Sequence, residues 1–176
     1  IKRINFILEQ KMLYRIEPLM AIARANQIHI SERLLHKAWK KMLETHAHDG
    51  MGGCVSDNVA VDILHRMKEA EEIADGIENM ITKRLSEQVG LTDKEILVFN
   101  TLPVEYSGYK KLQIVASSKN IRITGCDKAM ILETKYYPPR EHVRIVTSEG
   151  ERYYTEPEYY KLTLLCNMEL PAMGYK

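Results

Sequence analysis

The residues best suited to chemistry lie together in one segment, His46-Ala47-His48-Asp49-Gly50-Met51-Gly52-Gly53. Two imidazoles and a carboxylate occur within four residues there. Neutral imidazole is a good zinc ligand, and a neighbouring carboxylate can orient such a ligand or accept hydrogen bonds from hydroxyl groups. Because zinc takes three or four protein ligands, and adjacent residues rarely all point at one ion, a zinc site here would need further ligands from elsewhere.

The same segment also has a purely structural interpretation. Histidines near the end of a helix interact favourably with its dipole, and Asp followed by Gly is common in turns. Three glycines in four residues are not expected to sustain a helix at this point. From these residues alone, a structural loop and a ligand-binding loop both stay open.

The first half of the chain has the periodicity of amphipathic helices. Pro18 is expected to kink the first helix or to open a second one. Ser31 is expected to cap the next helix, and Ser56 or Asp57 the last, which ends near Gly90. Apolar residues three or four apart form three stripes, which predict a helical bundle: Ile1, Ile4, Leu8, Met12, Ile16, Met20 and Ala23; Leu34, Leu35, Ala38, Trp39 and Met42; and Val59, Ile63, Met67, Ala70, Ala74, Ile77, Ile81 and Leu85.

From about residue 93 the pattern changes to short strands separated by turn formers. Six segments are rich in β-branched residues: 95–99, 112–115, 121–124, 129–132, 143–146 and 160–165. Strands at such regular spacing predict an antiparallel β-sandwich or its opening part. The predicted fold class is α+β by segments, with a three-helix bundle at 1–92 followed by part of an antiparallel β-sandwich at 93–176.

Composition and charge argue against two classes of partner. The chain has 25 Lys and Arg against 24 Asp and Glu, and neither half has the positive excess of a nucleic-acid-binding domain. No apolar run approaches the roughly 20 residues that cross a bilayer. We see no signal peptide, in which a positively charged segment precedes an apolar one. The three scattered cysteines, Cys54, Cys126 and Cys166, have no metal-ligand spacing. We therefore expect no nucleic-acid or membrane partner and a reduced, cytoplasmic setting; homo-oligomerisation stays open.

Three landmarks resemble glycoside hydrolase family 38, the zinc-dependent α-mannosidases, and most closely its bacterial branch, which includes mannosylglycerate hydrolases. The His48-Asp49 pair, followed by small and hydrophobic residues and then a helix, is similar to the family signature. Ala47 stands where eukaryotic members often have another histidine, which here lies one place earlier at His46. The other two landmarks follow in family order: Val98-Phe99-Asn100-Thr101-Leu102-Pro103 and Leu170-Pro171-Ala172-Met173-Gly174-Tyr175-Lys176.

The resemblance implies a role for each residue of the motif. His48 corresponds to the zinc ligand of the family's helical domain, and Asp49 to a carboxylate that contacts the sugar. His46 has no firm counterpart and is assigned to orienting a ligand or capping the helix. The other zinc ligands, the nucleophile and the acid of the retaining mechanism would lie in an N-terminal barrel upstream of Ile1, so the chain alone is expected to be inactive.

Two alternatives to a general α-mannosidase stay open. A mannosylglycerate-type hydrolase would need basic residues near an acidic aglycone, for which Arg140, His142 and Arg144 are candidates. A non-catalytic carbohydrate-binding or interaction module would use exposed aromatic rings, and three tyrosine pairs could supply them: Tyr136-Tyr137, Tyr153-Tyr154 and Tyr159-Tyr160. Cys54 is expected to be a buried, inert thiol, and Ser56 and Asp57 to cap a helix and not to contact substrate.

Overall fold

The computed structural model describes all 176 residues and divides into two compact units. Unit 1 comprises Ile1–Glu105 together with Pro171–Lys176, and unit 2 comprises Tyr106–Leu170. The predicted fold class is confirmed, since helices come first and antiparallel strands follow. The assignment of 1–92 and 93–176 to two family domains stays a prediction.

Unit 1 is built from five α-helices and a short sheet, and unit 2 from strands alone. The helices are α1 (Lys2–Lys11), α2 (Glu17–Ala25), α3 (Glu32–Leu43), α4 (His48–Gly52) and α5 (Asp57–Val89), with a π-helical segment at Met12–Ile16 and a 3₁₀ turn at Glu44–His46. The strands are β1 (Phe99–Asn100), β2 (Tyr106–Ala116), β3 (Lys128–Tyr137), β4 (Arg140–Thr147), β5 (Gly150–Glu156), β6 (Tyr159–Leu170) and β7 (Gly174–Tyr175).

The core of unit 1 is the predicted stripe of α5 packed against the earlier helices. Seven of its eight predicted residues are buried, and only Val59, in the first turn, is 44% exposed. The prediction for α1 was wrong at Ile4, which is also 44% exposed. Met12, Ile16 and Met42 are fully buried against the α5 stripe. This apolar burial is the main stabilising term of the helical unit.

Pro18 breaks the α-helical hydrogen-bond pattern without ending the helix. Proline has no N–H, and its ring clashes with the carbonyl four residues earlier, here that of Tyr14. The chain responds with the wider π turn at Met12–Ile16, in which the Glu17 N–H donates to the carbonyl oxygen of Met12, five residues back. Helix α2 then starts with Pro18 in its first turn. The predicted break at Pro18 is therefore a local widening of one continuous helical segment.

The last residues of the chain return to the helical unit. Strand β7 pairs antiparallel with β1, and the Val98 and Lys176 backbones exchange two hydrogen bonds beside them. The Tyr175 hydroxyl donates to Oδ1 of Asn26 at 2.8 Å, and its ring packs against Phe99 with centroids 5.7 Å apart. Local sequence patterns do not indicate this return, because β1 and β7 are each only two residues long.

Unit 2 contains a three-stranded antiparallel sheet in the order β2-β6-β3, and β4 pairs with β5 in a separate hairpin. Alternate residues of the central strand β6 are buried and apolar, as in a sheet with one covered face: Leu162, Leu164, Cys166, Met168 and Leu170. Thr163, between the first two, is buried as well. Strand β3 has an irregularity between Ile131 and Glu133, where one extra residue enters its pairing with β6.

Two of the predicted strands are wrong in detail. Residues 121–124 form no strand, and the first predicted strand is reduced to Phe99–Asn100. Residues 117–127 instead connect the two outer strands of the sheet, so their β-branched side chains have no strand beside them to pair with. None of the helices combines the length and apolar character needed to cross a membrane.

Candidate functional site

The candidate segment is a tight connection between two helices of unit 1. Helix α3 ends at Leu43, the 3₁₀ turn follows, and Ala47 adopts an extended ψ of 140° that redirects the chain into α4. Gly53 then takes a left-handed conformation with φ of 79°, which glycine adopts without steric cost. The backbone N–H of Cys54 donates to the Asp49 carbonyl oxygen at 3.0 Å and closes the short helix.

The expectation that the glycines prevent a helix was wrong. His48–Gly52 form one helical turn, and Gly50 within it is buried. A Cβ atom at Gly50 would lie 3.1 Å from both Cδ1 of Ile63 and the carbonyl oxygen of Thr45. Thr45 is itself buried, and its hydroxyl donates to the Met42 carbonyl oxygen at 2.6 Å. Gly50 therefore lets α4 pack closely against α5 and the preceding turn. His48 and Asp49 then lie on the surface beside α5.

His46 is held by a residue of the first helix. Its Nε2 lies 2.6 Å from Oδ1 of Asn5, a side-chain oxygen that accepts hydrogen bonds, so Nε2 carries the proton. Asn5 is only 6% exposed although it lies on the apolar face of α1. No motif in the sequence marks Asn5; the available signal was a polar residue between Ile1 and Leu8 on a buried stripe. This contact ties the candidate segment to α1.

His48 and Asp49 are the accessible pair of the segment. Their side chains are 99% and 74% exposed, and Nδ1 of His48 lies 3.1 Å from Oδ1 of Asp49. Because the carboxylate is the acceptor, Nδ1 of a neutral His48 ring carries the proton, and Nε2 keeps its lone pair. An imidazole whose second nitrogen donates to a carboxylate is the usual arrangement of a histidine that binds metal.

The chain by itself does not assemble a metal centre. Nowhere do three or more His, Cys, Asp or Glu side chains come together in a group that could hold an ion. His46 points its proton-bearing Nε2 at Asn5 and is not grouped with His48. The donors present therefore fit zinc only as part of a shared site, in which His48 offers one exposed nitrogen and the remaining ligands come from other residues.

Two residues near the site differ from their predicted roles. Cys54 was expected to be buried, but it is exposed. Ser56 occupies the position before α5, yet its side chain makes no capping hydrogen bond, and the same is true of Ser31 before α3. Asp57 lies in the first turn of α5, where a negative charge interacts favourably with the helix dipole.

The residues singled out for the alternative functions lie in unit 2, where both arginines form ion pairs. Arg140 forms an ion pair with Glu156 at 2.5 Å, and Arg144 one with Glu151 at 2.6 Å. His142 lies between them on β4 with a positive φ of 55°. The nearby Glu156 carboxylate raises the pKa of the Arg140 guanidinium through a hydrogen bond, so this cation already has a carboxylate partner on its own hairpin.

Two of the three tyrosine pairs contact one another across the β3–β6 ladder, whereas Tyr153 and Tyr154 are exposed on β5. Tyr137 stacks on Tyr159 with ring centroids 4.7 Å apart, and Tyr136 packs on Tyr160 at 5.2 Å. Such cross-strand aromatic pairs stabilise a sheet. These contacts favour a structural role for the four rings.

The fold is similar to that of solved glycoside hydrolases. A protein of glycosyl hydrolase family 38 from Enterococcus faecalis matches with a TM-score of 0.64 and 16% sequence identity, over 99% of this chain and 23% of that one. An α-mannosidase from Enterococcus faecalis V583 matches with a TM-score of 0.54 and 16% identity, over 94% of this chain and 21% of that one. The chain thus spans less than a quarter of the length of either protein. No protein-family model and no curated protein matches the sequence.

Proposed function

We propose that this chain is part of a retaining, zinc-dependent α-mannosidase that hydrolyses terminal α-mannosides. In this proposal His48 supplies one zinc ligand and Asp49 contacts a sugar hydroxyl. The nucleophile, the acid and the other zinc ligands come from a barrel that is not among these 176 residues. The setting is cytoplasmic, and the substrates are mannosides or mannose-containing oligosaccharides.

The observation that carries the proposal is a fold likeness together with a motif. The likeness to a family 38 protein extends over 99% of the chain, and the His-Asp pair that resembles the family signature is exposed, with side chains 99% and 74% accessible. An isolated histidine on a loop is a common surface feature. His48 differs from such a histidine in two respects, because its Nδ1 lies 3.1 Å from the carboxylate of the next residue and its segment is packed at a buried glycine.

The chain's own residues have separable tasks at this site. Asp49 holds His48 in the tautomer with a free Nε2, and its other carboxylate oxygen can accept a hydrogen bond from a substrate hydroxyl. A charged acceptor makes that hydrogen bond stronger than a neutral one. His46 keeps the segment attached to α1 through Asn5. Zinc, when bound, would orient the sugar hydroxyls and stabilise charge on them.

Substitution of the three polar residues in the complete enzyme tests the proposal. We expect His48→Ala to lose most α-mannosidase turnover, since even residues that only support a metal ligand are worth about 10–100-fold. Asp49→Asn is expected to be severely impaired, because it keeps the shape but loses the charged acceptor. His46→Ala should be milder and mainly lower stability, by about 1 kcal/mol for one hydrogen bond.

The control is His36→Ala, which removes an exposed imidazole from the middle of α3 and should leave turnover unchanged. Circular dichroism establishes that each variant is folded. Bound zinc, measured after dialysis, should fall in His48→Ala and stay unchanged in His46→Ala. If His46→Ala proves the most damaging, or if the isolated chain retains one stoichiometric zinc through His46 and His48, the assignment of roles is wrong.

A further inference from the structure

Strand β3 of unit 2 has one edge that no strand of this chain covers. The order of the sheet is β2-β6-β3, so β3 pairs with β6 on one side only, and the β4–β5 hairpin that follows forms a separate sheet. Nine of the ten residues of β3 are exposed. The backbone N–H and C=O groups along its outer side are therefore a template to which another strand can pair.

The part of β3 that can pair regularly along this edge is short and well bounded. At one end, the irregularity between Ile131 and Glu133 interrupts the ladder. At the other end, Pro138 follows the strand and has no N–H to donate. Residues 132–136 lie between these limits, and all five are exposed.

Two opposite charges lie on one face of this segment. Glu133 and Lys135 are two residues apart on the strand, so their side chains point to the same side of the sheet. Neither side chain takes part in an ion pair within the chain. Lys135 instead lies opposite Lys161 of β6, a like charge, and Glu133 has only a long contact of 3.4 Å with the Thr163 hydroxyl.

We propose that two copies of this chain associate by antiparallel pairing of β3 with β3, centred on Thr134. In this register Glu133 of each copy lies opposite Lys135 of the other, and Thr134 lies opposite its own counterpart. Leu132 lies opposite Tyr136, and each of these side chains is 49% exposed in the single chain. Cross-strand pairs of opposite charge, and of an aromatic with an aliphatic residue, stabilise adjacent strands.

The sequence of β3 specifies this register against its neighbours. Shifting one strand by one residue would bring side chains from opposite faces into register. Shifting it by two residues would place Glu133 opposite Glu133 or Lys135 opposite Lys135, and like charges directly opposite each other are destabilising. The register centred on Thr134 avoids both conflicts.

The same charges identify a second copy as the occupant of this edge. A lysine on an edge strand discourages pairing with other strands, and a second copy offsets Lys135 with its own Glu133. Strand β2 is the other edge of the sheet, but it carries Lys110 and Lys111 and no acidic residue, so it cannot complement itself in this way. A ladder of five residues gives a small interface, which is expected to be weak and reversible.

The test measures dimerisation of the complete protein, in which any other strand that covers β3 is present. Sedimentation equilibrium from about 1 µM to about 1 mM spans the affinities expected of a small interface. We expect Glu133→Lys and Lys135→Glu each to weaken dimerisation by about tenfold or more, because each variant turns both ion pairs into contacts between like charges. Lys111→Glu makes the same charge change on β2 and should leave dimerisation unchanged.

Mixing the two variants separates pairing from a structural role of either residue. In a heterodimer of Glu133→Lys with Lys135→Glu, lysine lies opposite glutamate at both positions, so association should return to the level of the unaltered protein. The double variant Glu133→Lys, Lys135→Glu should dimerise with itself for the same reason. Circular dichroism establishes that each single variant is folded.

Three outcomes would overturn the proposal. The first is a complete protein that stays monomeric over the whole concentration range, which would mean that the edge of β3 is left open or is covered by another segment. The second is a dimer that neither single variant weakens, which would place the interface elsewhere. The third is a loss of association that mixing does not restore, which would mean that the register is wrong. The proposal concerns β3 alone and does not depend on the mannosidase function.

Discussion

Gly50 offers the sharpest test of how the sequence builds the candidate site. In Gly50→Ala the added methyl group meets Cδ1 of Ile63 and the carbonyl oxygen of Thr45, both at 3.1 Å. Neither neighbour moves easily, since one is backbone and the other belongs to a buried side chain of α5. Overpacking of this kind costs about 1–3 kcal/mol, and the smaller unfolded-state entropy of alanine returns about 0.4–1 kcal/mol. We expect a net loss of about 1 kcal/mol.

Gly52→Ala is the matched control. Gly52 lies in the same short helix without a positive φ, and a Cβ there would meet only Sγ of Cys54, at 4.0 Å. This variant should gain about 0.4–1 kcal/mol, so the two variants should differ by about 2 kcal/mol. At about 2–4 °C per kcal/mol for a chain of this size, calorimetry should separate their unfolding midpoints by about 4–8 °C. Equal stabilisation by both alanines would refute the close-packing role of Gly50.

Two further predictions concern the core and one surface hydrogen bond. Ile77→Ala should lower the free energy of unfolding by about 2–5 kcal/mol, because Ile77 is fully buried; in chemical denaturation Val61→Ala, at a side chain 64% exposed, should change it by less than about 0.5 kcal/mol. The Glu158 carboxylate, which accepts the Tyr136 hydroxyl hydrogen bond, raises the pKa of that phenol. At pH values below the ordinary phenol pKa this hydrogen bond therefore stabilises the fold. The stabilisation is lost as the pH rises through the raised pKa of Tyr136. Glu158→Gln should lower the pKa of Tyr136 in an NMR titration, and an unchanged pKa would contradict this cause.

The helices of unit 1 were predictable because the residues that specify each of them lie close together in the sequence. The stripe from Ile63 to Leu85 has the α-helical period, and every residue of it is buried. Gly90, predicted as the stop, ends α5 with a left-handed φ of 68°. Pro18 was predicted to disturb the first helix, but whether a kink, a new helix or a π turn results depends on which arrangement keeps Met12 and Ile16 packed in the core.

Three of the misses share a physical origin, which is contact between residues far apart in sequence. Residues 121–124 have the composition of a strand, but β-propensity requires a neighbouring strand to pair with. The short helix that contains Gly50 packs closely against Ile63 and the Thr45 carbonyl, which lie elsewhere in the sequence. Asn5 is buried because His46, 41 residues away, supplies its hydrogen bond. No pattern within a window of a few residues contains these partners.

The course of the chain through its two units has a consequence for how such a protein can be altered. The polypeptide leaves unit 1 after Glu105 and re-enters it at Pro171, and the first and last residues of the excursion, Tyr106 and Leu170, are register partners on adjacent strands. The entry and exit points are therefore close enough to be joined by a hairpin turn. Residues 106–170 therefore have the topology of an insertion, and we expect that a hairpin turn in their place would leave the pairing of β1 with β7 intact.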